Sequence, residues 1–201
     1  MVKSKFPSAL LGLSLTVLAG VVSAQEWELV KDEEGIQVYL SSVEGSKYKA
    51  YRGETVVKAD IATISALQED VQSSCAWIHQ CKEQQLIKQE GAKSWTHTYF
   101  SPPWPVTPRD SIIEVTTEGE GRGVVRRLKG VSDLLPEEKG YVRVARVEGF
   151  WKLEPLSGEQ VKVTYQLHND PGGSVPSWLA NSFVIDAPFN TLKGLRALAE
   201  Q

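Results

Sequence analysis

Cysteine and histidine are scarce in this chain: two of the first and three of the second among 201 residues. Two cysteines without nearby histidine partners make a poor zinc set, so no metal site is expected. No Ser or Cys stands in a nucleophile-elbow motif, which leaves hydrolase chemistry with little support. Gly119-Glu120-Gly121-Arg122-Gly123 lacks the Gly-Lys-Ser/Thr ending of a phosphate loop, and no helix follows it, so it reads as a hairpin turn. No internal repeat or low-complexity tract occurs. Beyond the N-terminus no apolar run is long enough for a membrane-spanning helix. An excess of positive charge is also missing, since the formal net charge is −3. Sequence-independent nucleic-acid binding rests on phosphate neutralisation, and a mildly acidic chain is a poor candidate for it. No cofactor is expected.

What is present begins with a leader pattern. Lys3 and Lys5 precede an apolar run from Ala9 to Val22, then Val22-Ser23-Ala24. Positive end, apolar middle and small-residue cleavage site are the order of a secretory signal. The expected division is a signal peptide at 1–24 and one domain at 25–201, periplasmic or secreted. The alternative is an N-terminal membrane anchor, for which the run is short against roughly 20 residues. No cysteine follows Ala24, which speaks against a lipoprotein. Without the two lysines the remaining 177 residues carry a formal charge of −5. Cys75 and Cys81 would then sit in an oxidising context. In a continuous helix they point to different sides; a break at Ser73-Ser74 would let them bond. A disulfide and a pair of buried thiols both stay open.

Along the chain the apolar periodicity changes twice. Trp27–Val30, Ile36–Ser41 and Lys47–Val57 read as three strands joined by Glu33-Glu34-Gly35 and Gly45-Ser46, an antiparallel meander. Ile61, Ile64, Leu67 and Val71 recur at helical spacing behind Asp60, predicting an amphipathic helix over 59–71. A short helical turn over 73–80 has Trp77 as its buried anchor. Strands follow at about 82–90, 93–101, 110–118, 123–132, 141–155 and 160–169. The loop Ser101–Pro108 holds four prolines and Trp104, so it is stiff and not helical. After the turn Asp170-Pro171-Gly172-Gly173, with Ser174 as cap and Pro176 in the first turn, a helix of about 25 residues runs to Glu200, roughly 37 Å long. Pro188 predicts a kink or break near 186–188, and Gly194 a weakening of the last turns. The fold class is α+β: a helix-grip fold, in which a curved antiparallel sheet of about nine strands wraps around the long C-terminal helix. The first half of that helix would roof a cavity and the second half anchor to the sheet.

Two segments carry a family resemblance: Pro103-Trp104-Pro105-Val106 with Arg109-Asp110, and Asp170-Pro171-Gly172-Gly173-Ser174-Val175-Pro176-Ser177-Trp178-Leu179. Trp27, Gly35-Ile36, Tyr39, Asp70, Trp77, Cys81, Val142-Arg143-Val144 and Trp151 also fall where such domains have similar residues. The chain resembles the START family, lipid-transfer domains related to the steroidogenic acute regulatory protein, and most of all its bacterial exported members. The resemblance covers nearly the whole chain after the leader. It implies a hydrophobic tunnel holding one lipid, shut by the C-terminal helix and a neighbouring loop. Sterol-binding relatives often place a basic residue in the strand after Arg-Asp. Here that strand, Ser111–Thr116, has none, which departs from a sterol pattern.

The residues put forward for ligand contact are Trp104, Arg109, Arg143, Trp151, Tyr165, Trp178, Asn181 and Phe183. The aromatic ones would gather around one cavity, with Trp104 also suited to dip into a membrane interface. Arg109 would anchor a polar group at the tunnel mouth or tie down the proline loop. Arg143, on an apolar strand face, would bind a polar ligand group or an acid on a neighbouring strand. Arg122, Arg126, Arg127 and Lys129 form a basic hairpin, solvated or touching anionic lipid heads. His97 reads as a core or rim residue and His79 as surface. His168 with Asp170 is the one acid–base pair on offer. The expected function is lipid binding and transfer by a monomer, non-enzymatic, with transient membrane contact. The alternative is a helix-grip cyclase or hydrolase acting on a hydrophobic substrate, with His97 or His168 inside the cavity.

Overall fold

The computed structural model describes residues 26–201; the expected signal segment lies outside them. The opening meander is β1 (Glu28–Glu33), β2 (Ile36–Ser41) and β3 (Ala50–Val57). Helix α1 (Ile61–Glu69) and a 3-10 turn (Ser74–Ala76) interrupt the strands. Then come β4 (Cys81–Glu90), β5 (Lys93–Phe100), β6 (Arg109–Glu120), β7 (Gly123–Gly130), β8 (Val142–Arg143), β9 (Arg146–Pro155) and β10 (Val161–Asp170). Helix α2 (Ser177–Ala199) closes the chain. The strands form one curved antiparallel sheet in the order β1-β2-β3-β10-β9-β7-β6-β5-β4, with β8 running parallel beside β6. The sheet is open, and β1 and β4 are its edges. This is the helix-grip arrangement that the strand and helix periodicities predict.

Three local expectations are corrected. The strand expected over 141–155 is two strands, because the chain changes partner in the middle. Val144 N–H donates to the Asp110 carbonyl on β6, and Ala145 N–H to the Asp170 carbonyl at the end of β10. Helix α2 carries no break: it stays helical through Pro188. The proline ring is buried against β3 at Gly53, where an added Cβ would lie 2.6 Å from Leu192 Cδ1 and 3.1 Å from Pro188 Cβ. That close helix–sheet contact offsets the missing hydrogen bond. Ser174 is not the cap; Pro176 holds that position, without a side-chain hydrogen bond.

The core lies under the C-terminal half of α2. Phe189, Leu192, Leu195 and Ala199 pack on Ile36, Val38, Val57, Val161 and Val163 from β2, β3 and β10, and on Ile64 from α1. Asp60 caps α1 by accepting the Thr63 N–H at 2.7 Å. After α1 the chain turns sharply, with Gln80 at φ +57°, and Cys75 and Cys81 form a disulfide, their Cα atoms 4.9 Å apart. The helix does break before Ser74, which is the condition the bond needed. Trp77, inside this small loop, is buried beneath α2. Gly194 matters there for contact more than for flexibility: a Cβ would lie 2.8 Å from the Trp77 carbonyl oxygen.

Candidate functional site

Between the N-terminal half of α2 and the concave face of the sheet lies a cavity of about 630 Å³. That is within the range of small-molecule sites. The main core fills the space under the second half of the helix. Under the first half Val184 belongs to a smaller cluster with Leu40, Tyr51, Val147 and Leu167, and the remaining volume is open. Ala180, Asn181, Phe183, Val184, Ala187 and Thr191 of α2 face it. On β6 the strand period places Arg109, Ser111, Ile113, Val115 and Thr117 along one wall. The β7–β10 side of the sheet is mostly apolar at the cavity: Leu128, Val147, Trp151 and Leu167. The β4–β5 side is more polar, with Gln84 donating to Thr98 Oγ1 at 2.8 Å and Thr96 alongside.

An aromatic ladder forms part of the lining. Trp151 and Tyr165, register partners on β9 and β10, stack with ring centroids 3.9 Å apart. Tyr51 meets Tyr165 edge-on at 5.4 Å, and Trp77 meets Trp151 edge-on at 5.9 Å. The Tyr51 hydroxyl donates to that of Tyr165 at 3.0 Å. Burial pushes both phenols above the ordinary range.

Of the residues the sequence puts forward, Arg109, Trp151, Tyr165, Asn181 and Phe183 come together around this cavity. Arg109 Nη1 also donates to the Thr107 carbonyl, tying the proline loop, and burial pulls its guanidinium below its ordinary range. Asn181 accepts the Lys49 N–H at 3.0 Å, which pins the start of α2 to the segment before β3. Trp104 and Trp178 do not line the cavity. They are 92% and 72% exposed, one on the proline loop and one in the first turn of α2.

Arg143 does not line it either. Lying beside Asp110 across the β6–β8 pair, it donates through Nε and Nη2 to Asp110 Oδ2 at 2.9 and 2.8 Å. Its other bonds go to the carbonyls of Ser132, Leu135 and Pro136, so it pins the loop before β8. Of its two readings, the ion pair on a neighbouring strand is the one realised. His97 Nε2 bonds the same Asp110 oxygen at 2.7 Å, and its Nδ1 lies 3.2 Å from the Tyr99 hydroxyl. Burial pushes the Asp110 carboxyl up, yet the bonds from Arg143 and His97 outweigh it and hold the group below the ordinary carboxylate range.

Three other expectations are revised. His79 is not a surface residue: it is half-buried at the cavity, and burial lowers its basicity. Arg126 does not belong to a solvated basic hairpin. It is 6% exposed and faces the cavity, while its neighbour Arg127 points outward. Strand alternation alone places Arg126 with Val124 and Leu128, and that pairing was the available signal. His168 bonds Ser46 Oγ at 3.0 Å, whereas Asp170 accepts the Gly172 N–H at 3.0 Å, so the two are not an acid–base pair. Among the described residues no cluster of His, Cys, Asp and Glu could hold a metal ion.

With this geometry in view, likeness to known proteins is informative. The START domain profile matches residues 15–201. An uncharacterised protein of Pseudomonas aeruginosa is 58% identical over 197 residues, covering 94% of this chain and 98% of its own. The phosphatidylcholine transfer protein of Bos taurus is 24% identical over 182 residues, 87% of this chain and 84% of that one. The crystal structure of a STAR-related lipid transfer protein fragment from Xanthomonas axonopodis superposes with a TM-score of 0.82 at 40% identity, covering 87% of this chain and 99% of that one. The chain is a member of the START domain family.

Proposed function

We propose that this protein holds one lipid in the cavity beneath α2 and carries it between membranes or to a partner. The carrying observation is the cavity itself, about 630 Å³ with a largely apolar β7–β10 wall, roofed by the N-terminal half of α2. Lipid as the ligand class is in keeping with the names of its relatives. Burying an acyl chain here offsets its exposure to water by about 0.8 kcal/mol per methylene. No covalent chemistry is required for that task.

Entry needs the roof to lift. Among the described residues, the start of α2 is tied down by Asn181, which accepts the Lys49 N–H, and by the Tyr48 hydroxyl, which donates to the Val175 carbonyl at 3.5 Å. Gly172 and Gly173, both left-handed at φ +69° and +60°, join α2 to β10 and form the natural hinge. Trp104 and Trp178, exposed on the loop and on the helix start, would meet a membrane interface during exchange. The disulfide supports residence in an oxidising compartment, periplasmic or outside the cell. The proposed working form is a monomer. The enzyme reading is the weaker one, because His97 is turned to Asp110 and His168 to Ser46, away from the cavity.

The test is organic extraction of the purified protein followed by mass spectrometry, together with a vesicle-to-vesicle transfer assay. A co-purifying lipid at near-stoichiometric amount and catalysed transfer are expected. A protein that carries nothing and accelerates the transfer of no lipid would end this reading.

A further inference from the structure

One end of the cavity is chemically unlike the rest. Arg126 on β7 points into it, between Thr117 of β6 and Trp151 of β9, its register partners. The residue is 6% exposed. Among the described residues its one hydrogen bond is from Nη1 to Glu69 Oε1, at 3.1 Å. Glu69 is a loose counter-ion: it ends α1, and its side chain is 60% exposed. A guanidinium has five N–H donors in a planar fork, so most of its capacity is unused. Beside Glu69, Gln68 also lines the cavity, with both amide atoms buried and without a partner. Trp77, whose ring meets Trp151, lines it too, with its buried indole N–H unpaired.

Buried polar groups without partners are uncommon, and each calls for an explanation. Arg126 and the Trp77 indole can only donate. A set of buried donors that the protein leaves short of acceptors fits a ligand that supplies them. A sterol or fatty-alcohol hydroxyl offers one neutral acceptor, whereas a carboxylate or phosphate offers two or more charged ones in the planar geometry a guanidinium matches.

Resting on the lipid-binding reading above, we infer that this end of the cavity receives the oxyanion of an acidic lipid, a carboxylate or a phosphate. Arg126 is its principal contact, with donors from Gln68 and Trp77 beside it. The acyl chain then lies along Leu128, Ile113 and Val147 beneath α2. Glu69 acts as an internal competitor that occupies Arg126 when the cavity is empty and swings to solvent when the lipid arrives.

The experiment compares three ligands with the same chain: oleate, oleoyl lysophosphatidate and oleyl alcohol, titrated calorimetrically into delipidated protein. At least one of the two anions should bind about tenfold or more tightly than the alcohol, as expected for a charge-assisted bond in a dry site. The tighter of the two identifies the headgroup source. Arg126→Met should erase the preference for the anions over the alcohol. Glu69→Gln alters an exposed side chain and so keeps the test independent of folding; removing the competitor should tighten anion binding by about three- to tenfold and leave the alcohol unchanged. Equal binding of alcohol and anions by the unmodified protein, or a Glu69→Gln variant with unaltered anion affinity, overturns the assignment and leaves lipid binding standing. Failure of all three ligands to bind overturns the assignment too, and the extraction and transfer assays above then decide the cavity reading.

Discussion

Replacing Gly194 with alanine sets two effects of opposite sign against each other. Helix propensity favours alanine by about 0.8–1.0 kcal/mol in an open helix interior. Packing opposes it, since the new Cβ would lie 2.8 Å from the Trp77 carbonyl oxygen, 2.9 Å from its Cα and 3.2 Å from its Cβ. Two of these are backbone atoms, so no rotamer change relieves the contact. Overpacking a filled interior costs about 1–3 kcal/mol. The upper part of that range applies because the Trp77 segment has nowhere to retreat. Its N–H donates to the Ser74 carbonyl at 3.1 Å, and the Cys75–Cys81 disulfide brackets it. Packing therefore wins, with a net loss of about 1–2 kcal/mol. At about 2–4 °C per kcal/mol for a chain of this size, Tm should fall by roughly 2–8 °C in scanning calorimetry. In a Cys75→Ser/Cys81→Ser background the bracket is gone, and the same alanine should be milder by about 0.5 kcal/mol or more. An unchanged or raised Tm for Gly194→Ala in the oxidised protein would refute the reasoning, because propensity would then have outweighed the contact.

Three further expectations follow from the same geometry. Removing the Cys75–Cys81 disulfide, a six-residue closure, should lower stability by about 2 kcal/mol through the freer unfolded chain, read as a lowered urea midpoint. Asp110→Asn strips a buried ion pair of its anion and should cost about 3–5 kcal/mol. The Asp110 carboxyl titrates below its unfolded value of about 3.9, so its contribution is complete above that pH and is lost as pH falls through the folded value. The Asn variant should lack that part of the acid-side slope in urea titrations between about pH 2 and 5, and an identical slope in both proteins would contradict it. Trp104→Ala, at a 92% exposed position, should change stability by no more than about 0.5 kcal/mol while slowing lipid exchange from vesicles; equal exchange rates would remove Trp104 from the membrane contact.

The strands and the final helix were legible because their apolar positions follow the periods of a half-buried strand and an amphipathic helix. Val161, Val163, Tyr165 and Leu167 do face inward together, and Trp77 is the buried anchor its surroundings predicted. What failed did so for long-range reasons. A break at Pro188 is what local chain chemistry suggests, and nothing local announces that Gly53, on a distant strand, makes room for the ring. For Arg143 the sequence leaves ligand contact and an ion pair both open, and the choice depends on the switch of partner from β6 to β10, which involves both of those strands. Arg126 was hidden among Arg122, Arg127 and Lys129, where net charge suggested a wet surface. The alternation with Val124 and Leu128 pointed inward and was the better guide. Trp104 and Trp178 show the converse: aromatic character does not distinguish a cavity wall from an exposed tip.

The strand order has a consequence for how the molecule comes together in time. β3 pairs with β10, and the register joins Val57 to Val161, 104 positions away along the chain. The meander β1–β3 and the block β4–β9 are each built from neighbouring segments, so each can form locally. Joining them closes the segment of about 23 residues between β3 and β4, an entropic barrier of roughly 3 kcal/mol from chain closure alone. Until then β3 has an unpaired edge and Tyr51 has no Tyr165. The strand that bridges the blocks is followed directly by α2, the roof of the cavity. Assembly of the sheet and creation of the binding space are thus one late event, and a chain interrupted anywhere before Val161 would have neither.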